Sequence, residues 1–280
     1  MNALPAWRDL PSTLDGVALS HRTRAGAAPV LMVHGIGPGT TGRANFGPLL
    51  EQAPGLYALY LIDLAGFGAS GRLIAQPYFD PGFWVRQIEL ALDQVLESHG
   101  QPPVLIGNSV GAALALKVAA RRSELRRVLA IGAPAGGPAP TALKDFWRAP
   151  KDAASLARAM RPMTGPALTP AAAMIEARLA PFLQGDYGDY FDAMLDDPDL
   201  CLSQVALTAA EAGAIRAKVT VLNGRLDRAC PADDLIARLL PLIPDADVTL
   251  LGGCGHNVIA ERTAEVLSTV ERLVAENKPK

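Results

Sequence analysis

Short apolar runs closed by Gly, Pro or Asp recur along the chain at Val30–Val33, Leu56–Ile62, Val104–Ile106, Val128–Ile131, Val219–Leu222 and Val248–Leu251. Runs of this length that do not alternate with polar residues suit strands buried on both faces, and such strands pair in parallel. Between them lie segments with helical spacing. Trp84, Ile88, Leu92, Val95 and Leu96 follow an Asp80-Pro81 start, and Val110, Leu114 and Val118 follow the Gly107–Gly111 turn. Strands alternating with helices predict an α/β fold with a mostly parallel, doubly wound sheet. The alternation stops from about Pro138 to Ala214, a helical, Ala-rich stretch cut by Pro150, Pro162, Pro166, Pro170 and Pro181, and it resumes at Val219. The pattern therefore predicts a core domain made of residues 1–137 and 215–280, with residues 138–214 inserted as a helical cap. A last helix is expected from about Thr263 to Glu276, and the tail Glu276–Lys280 is expected to fray.

Composition narrows the function. With 280 residues, half of them apolar, the chain can bury one large core. A net charge of −2, from 26 basic and 28 acidic residues spread along the chain, offers no basic face to nucleic acid and no polybasic membrane anchor. Met1–Asp15 carries Trp7, Arg8, Asp9 and prolines where a secretory signal needs an apolar run, so a cytoplasmic location is expected. The longest uncharged stretches, Pro103–Leu116 and Val128–Leu143, are too short or too rich in Gly and Pro to span a bilayer, and no membrane association is expected. Cys201, Cys230 and Cys254 are far apart and lack metal-ligand spacing, so free thiols and no metal are expected. The sequence leaves a homo-oligomer open.

The chemistry centres on Gly107-Asn108-Ser109-Val110-Gly111, a G-x-S-x-G pattern at a strand end and directly before a helix. That is the context of a nucleophile elbow: small residues permit a tight turn that thrusts the Ser109 hydroxyl out above a helix N-terminus. The plainer reading is a glycine-bounded turn with an N-capping serine. A serine needs a base, and only four histidines are available. His21 precedes the sheet core, His99 ends a helix, and His34 belongs to a glycine loop. His256, in Gly253-Cys254-Gly255-His256 just past the last strand, sits where a loop can carry it over Ser109. An acid should fix the imidazole, and Asp227, just beyond Val219–Leu222, fits the order Ser, Asp, His. Asp233 and Asp234 read instead as helix-start charges, and Asp227 has its own plain alternative as a turn aspartate. In His34-Gly35-Ile36-Gly37-Pro38-Gly39 the Ile36 N–H, with Gly37 as the near alternative, is placed to join the Val110 N–H as an oxyanion hole. His34 is then structural. The loop does not complete a nucleotide-binding motif, so no cofactor is expected. Cys254, beside His256, reads as a small packing residue, and Met160, Met163, Met174, Phe182 and Leu183 read as cap core.

Together with Asp63-Leu64-Ala65-Gly66-Phe67-Gly68, these motifs resemble the α/β-hydrolase superfamily across nearly the whole chain. Within it the chain looks most like the meta-cleavage product hydrolases, which split a carbon-carbon bond in 2-hydroxy-6-oxo-dienoates. Three details carry that likeness: the HGxGPG form of His34–Gly39 with Asn45 beyond it, Asn108 before Ser109, and the Gly-Cys-Gly-His form around His256. The resemblance implies substrate contacts from Asn45 and Asn108. It further implies a cap arginine that grips the substrate carboxylate, for which Arg178 is the match, with Arg161 and Arg158 as alternatives. Asn257 stands where the family usually has tryptophan, and Val110 and Ala112 stand where bulkier residues and a second glycine are common. The implied activity is serine-dependent hydrolysis of a carboxylate-bearing dienone. A carboxylesterase or lactonase with the same triad, and a non-catalytic small-ligand receptor of the same fold, are the competing readings.

Overall fold

A computed structural model describes residues 5–277. The chain begins with a hairpin, β1 (Trp7–Leu14) and β2 (Val17–Arg24), turned at Asp15-Gly16 with φ of 48° and 81°. Two positive φ values in a two-residue loop match the right-handed twist of the flanking strands. The next elements are β3 (Ala28–Val33), α1 (Gly42–Gln52), β4 (Tyr57–Ile62), α2 (Pro81–His99), β5 (Val104–Asn108), α3 (Val110–Arg121) and β6 (Arg127–Ile131). Helices then follow without a strand: α4 (Thr141–Phe146), α5 (Ala153–Met160), α6 (Ala172–Leu179), α7 (Tyr187–Met194), α8 (Pro198–Val205) and α9 (Ala209–Ala214). The sheet resumes with β7 (Lys218–Gly224), a short α10 (Ala232–Asp234) and β8 (Asp247–Leu251), and the described chain ends through α11 (Val258–Glu261) and α12 (Thr263–Glu276). Glu276 is the last residue of α12, and residues 278–280 of the tail expected to fray lie outside the described residues.

All the apolar runs form strands of one eight-stranded sheet in the order β1-β2-β4-β3-β5-β6-β7-β8, but Val248–Leu251, expected to be buried on both faces, lies in the edge strand β8, of which only Leu251 is buried. From β4 to β8 every pairing is parallel, and the hairpin adds two antiparallel pairings at one edge. The fold is therefore an α/β-hydrolase fold with a mostly parallel sheet. Side chains alternate between two apolar layers. Leu31, Val33, Leu105 and Val128 share one with Trp84, Ile88 and Leu114 of α2 and α3. Val30, Met32, Val104 and Ile106 share the other with Phe46 of α1 and Val266, Val270 and Leu273 of α12.

The hairpin is a correction to the expected organisation. His21 does not precede the sheet; it lies buried on β2, its Nδ1 3.0 Å from Gln94 Oε1. Elsewhere local signals act as expected. Asp80 Oδ1 accepts from the Phe83 amide at 2.9 Å to start α2, and Gly100, left-handed at φ 63°, ends it. Among the described residues no helix is long and apolar enough to cross a membrane.

Candidate active site

Strand order reverses beside β3: the chain leaves β3 toward β4 and returns to the opposite side of β3 as β5. Loops leaving neighbouring strands in opposite directions open a crevice at their carboxyl ends, and ligands settle there. The crevice receives the glycine loop after β3 and Ser109 after β5. Ser109 has φ 55° and ψ −126°, one of two non-glycine residues with positive φ among those described. Backbone held in so sparsely populated a region persists only where its surroundings enforce it. Here a Cβ on Gly111 would come within 2.4 Å of the Val33 carbonyl oxygen, so the elbow is pressed against the end of β3. The Ser109 side chain makes no helix-capping hydrogen bond, which removes the plain N-cap reading and leaves Oγ available.

Oγ lies 3.0 Å from His256 Nε2, and His256 Nδ1 lies 2.7 Å from Asp227 Oδ2. Because a carboxylate only accepts, the imidazole carries its proton on Nδ1 and presents a bare Nε2 to the Ser109 hydroxyl. The other oxygen of Asp227 accepts from the Ala229 and Cys230 amides at 2.8 and 2.7 Å. Buried Asn223 donates to the Gly224 and Cys230 carbonyls and braces that turn. Burial alone lowers the His256 pKa, but the charge and hydrogen bond of Asp227, helped by Glu261, outweigh it and leave the imidazole above its ordinary 6.5.

The glycine loop is fastened at several points. His34 is fully buried, with Nδ1 2.7 Å from the Gly35 carbonyl and Nε2 accepting the Leu64 amide at 2.9 Å. Burial pushes its pKa down, so it is a neutral brace. Asp63 holds the neighbouring turn by accepting from the Gly42 and Ala69 amides. Asn45 Oδ1 accepts from the Gly35 amide and from Asn108 Nδ2, both at 3.1 Å, and ties the loop to the elbow. Asn108 Oδ1 is buried without a partner among the described residues. The Ile36, Gly37 and Val110 amides donate to no acceptor among the described residues, as donors awaiting an oxyanion must. Gly35 permits this closeness, since a Cβ there would lie 2.7 Å from Ser109 Cβ.

Arg178 of α6 reaches the same loop. Its Nε donates to the Pro38 carbonyl at 2.8 Å and Nη2 to Thr40 Oγ1 at 2.7 Å. Burial lowers its pKa to about 10, which leaves it charged near neutrality. It is therefore no solvated helix arginine. Arg158 and Arg161 lie elsewhere, with Arg225 and Arg228 around an outer groove of about 750 Å³ that includes Asp227. Cys254 is fully buried, and burial, with Glu261 and Asp227 nearby, pushes its thiol to about 12, too high for a nucleophile. Met160 and Met163 are buried in the core, whereas Leu183 is exposed.

Sequence reasoning missed three supports. Trp147 Nε1 donates to the Ile36 carbonyl at 3.1 Å and so helps aim the Ile36-Gly37 peptide. The Met163 carbonyl accepts the His256 amide at 2.9 Å, and Glu261 accepts the Gly255 amide at 2.8 Å. The Trp147 and Met163 contacts join segments far apart in sequence, the Glu261 contact spans six residues, and only the Trp147 indole, which seeks an acceptor when buried, carried any signal.

The chain is similar to several known proteins. The 2-hydroxymuconate semialdehyde hydrolase of Pseudomonas sp. strain CF600 is 27% identical over 251 residues, covering 89% of this chain and 87% of that protein. A 2-hydroxy-6-oxononadienedioate/2-hydroxy-6-oxononatrienedioate hydrolase of Cupriavidus pinatubonensis is 30% identical over 249 residues, covering 84% and 82%. The solved meta-cleavage product hydrolase of Pseudomonas fluorescens IP01 superposes with a TM-score of 0.84 at 23% identity, covering 94% of this chain and 96% of that one. Residues 30–269 match the model of the alpha/beta hydrolase family, and with its elbow at a sheet switch point this chain belongs to that family.

Proposed function

We propose that the protein hydrolyses a carbon-carbon bond in a 2-hydroxy-6-oxo-hexa-2,4-dienoate, with Ser109, His256 and Asp227 as the catalytic set and residues 138–214 closing over the substrate as a cap. The observation that carries the carbon-carbon reading is the likeness, over more than four-fifths of both chains, to proteins named as hydrolases of such compounds. The site is compatible in detail. Arg178 can meet the substrate carboxylate with guanidinium N–H groups left over from Pro38 and Thr40. Asn108 Oδ1 can accept from the 2-hydroxyl, and Asn45, its oxygen already engaged, can donate with Nδ2.

The proton of the 2-hydroxyl first passes to C5, so that the dienol becomes a 2-keto group with a C3–C4 double bond. Ser109 then loses its proton to His256 Nε2 and attacks the 6-keto carbon, while the Ile36 (or Gly37) and Val110 amides hold the oxyanion. The C5–C6 bond breaks as its electron pair leaves into a dienolate stabilised by the new 2-keto group, and His256 returns the proton. Water, activated by the same imidazole, clears the acyl-Ser109 ester, so one water is consumed and two acids form. The reaction needs no other co-reactant.

The test is the visible-absorbance decay of a yellow 6-substituted 2-hydroxy-6-oxo-hexadienoate. Wild type should bleach it, and Ser109→Ala should lose about 10³-fold or more in kcat. Turnover by Ser109→Ala within a few-fold of wild type would remove serine from the mechanism. No bleaching by wild type, with turnover of an activated ester, would move the assignment to ester or lactone hydrolysis.

A further inference from the structure

Glu261 has no part in the reaction as written, yet it occupies an unusually constructed position. It closes α11, five residues beyond His256. Its Oε2 accepts from the Gly255 amide at 2.8 Å and from the Gly165 amide at 3.0 Å. Gly255 is the residue before His256, and Gly165 belongs to the segment between α5 and α6. The same two segments meet again at the Met163 carbonyl, which accepts from the His256 amide at 2.9 Å and the Asn257 amide at 3.3 Å. Neither segment has room for a side chain at the contact. A Cβ on Gly165 would lie 2.3 Å from Glu261 Oε2 and 2.7 Å from the Gly253 carbonyl oxygen, and one on Gly255 would lie 2.5 Å from the Gly165 nitrogen. Glu261 Oε1 is buried with no hydrogen-bond partner among the described residues, a costly arrangement for a group serving only to end a helix.

We propose that Glu261 is a positioning residue for His256: one carboxylate oxygen clasps the His256 loop to the 163–165 segment, so that the imidazole is held over Ser109 only while that segment is seated on the core. The inference rests on the reading of Ser109, His256 and Asp227 as the reacting set. The backbone of His256 is fastened to the segment through Met163, and Glu261 Oε2 bridges the Gly255 and Gly165 amides, so lifting residues 163–165 removes the acceptor of two consecutive amides, those of His256 and Asn257, and breaks the bridge to Gly255. Substrate entry that displaces the segment would then switch off the base, and reseating would restore it.

The clasp also brings a second negative charge near the imidazole. The charged groups acting on His256 are Asp227 from the loop after β7 and Glu261 from α11, both raising its pKa against the opposing effect of burial. Cys254 lies between them and stays a neutral thiol, and Arg262 beside Glu261 is paired with Glu265. Replacing Glu261 by glutamine keeps an acceptor oxygen for both amides but removes the charge. Alanine removes both.

The experiment compares wild type, E261Q, E261A and G165A through the pH dependence of kcat/KM on the yellow dienoate and through the downfield ¹H NMR titration of the His256 imidazole N–H, with thermal melts alongside. In E261Q the acid limb and the NMR titration should move together to lower pH, because the charge that helps Asp227 raise the imidazole is gone. E261A should lose about ten-fold more plateau kcat than E261Q, as expected when a reacting group is no longer held in line. G165A, whose new methyl forces the clasp open with Glu261 intact, should lose plateau kcat like E261A. An E261Q titration coincident with wild type in the NMR readout would overturn the proposal, as would a folded G165A with wild-type kcat. The NMR titration uses no substrate, so it judges Glu261 even if Ser109→Ala proves active and the triad reading fails. If E261A does not fold, E261Q and G165A decide the matter.

Discussion

A base that takes a proton from Ser109 works only while its Nε2 is bare. Because Asp227 and Glu261 together lift His256 above its ordinary 6.5 in spite of burial, the imidazole is already charged in part of the range where a free histidine is neutral. A folded-state pKa above the free value means that activity is lost as pH falls through the raised value. The acid limb of kcat/KM is therefore expected above pH 6.5, and an acid limb below it would show that Asp227 does not dominate the site. Ser109, His256 and Asp227, which the structure brings together, were picked from the sequence because order along the chain restricted the choice: elimination left one histidine beyond the last strand, and Asp227 was the acid that fitted best between it and the elbow. His34, expected to be structural, is buried with both ring nitrogens engaged by the backbone. Glu261 was not legible, because its partner Gly165 is 96 residues away and nothing local distinguishes it from any acid in a short helix.

At the scale of elements, the elbow depends on how closely α3 and β3 approach. Gly111→Ala places a methyl 2.4 and 2.5 Å from the Val33 and His34 carbonyl oxygens, which belong to backbone that cannot swing aside. It is expected to destabilise the protein by about 3 kcal/mol, read as a lower urea midpoint, and to disturb the oxyanion loop before it disturbs any substrate contact. A midpoint equal to wild type would mean that the two elements can separate without cost. The buried strands were readable as unbroken apolar runs because both of their faces meet helices. β1 and β2 were not, because an edge hairpin is half exposed and interleaves Val17, Leu19 and His21 with Ala18, Ser20 and Arg22. The Asp15-Gly16 turn between them was the available signal.

Across the whole molecule, the helices between β6 and β7 reach the core at the loops that carry the chemistry. Trp147 meets Ile36, Arg178 meets Pro38 and Thr40, Met163 meets His256, and the Tyr187 hydroxyl donates to Gly66 at 3.1 Å. The helical character of this region was readable from its composition and prolines, but its seating was not, since each contact pairs residues distant in sequence. The proposed carboxylate contact of Arg178 can be tested through binding. Arg178→Lys keeps a positive charge but loses the planar fork that serves Pro38, Thr40 and a carboxylate together. It is expected to raise KM for the dienoate by about 10- to 100-fold, the loss of one charge-assisted hydrogen-bond set, with a smaller effect on a neutral ester. Arg158→Ala and Arg161→Ala, placed on the outer groove, should leave KM near wild type. The reverse pattern would transfer carboxylate recognition to that groove.

The backbone at Ser109, with φ 55°, sets two kinds of fitness against each other. Glycine occupies such a conformation freely, and relief of the strain, about 1–3 kcal/mol, exceeds the roughly 0.5–1 kcal/mol lost to a more mobile unfolded chain. Ser109→Gly should therefore melt no lower than wild type, and by this balance higher, while being inert toward substrate. A laboratory screen that rewarded heat resistance alone would drift toward dead protein at this one position, so any programme to harden the enzyme must select for turnover at every round.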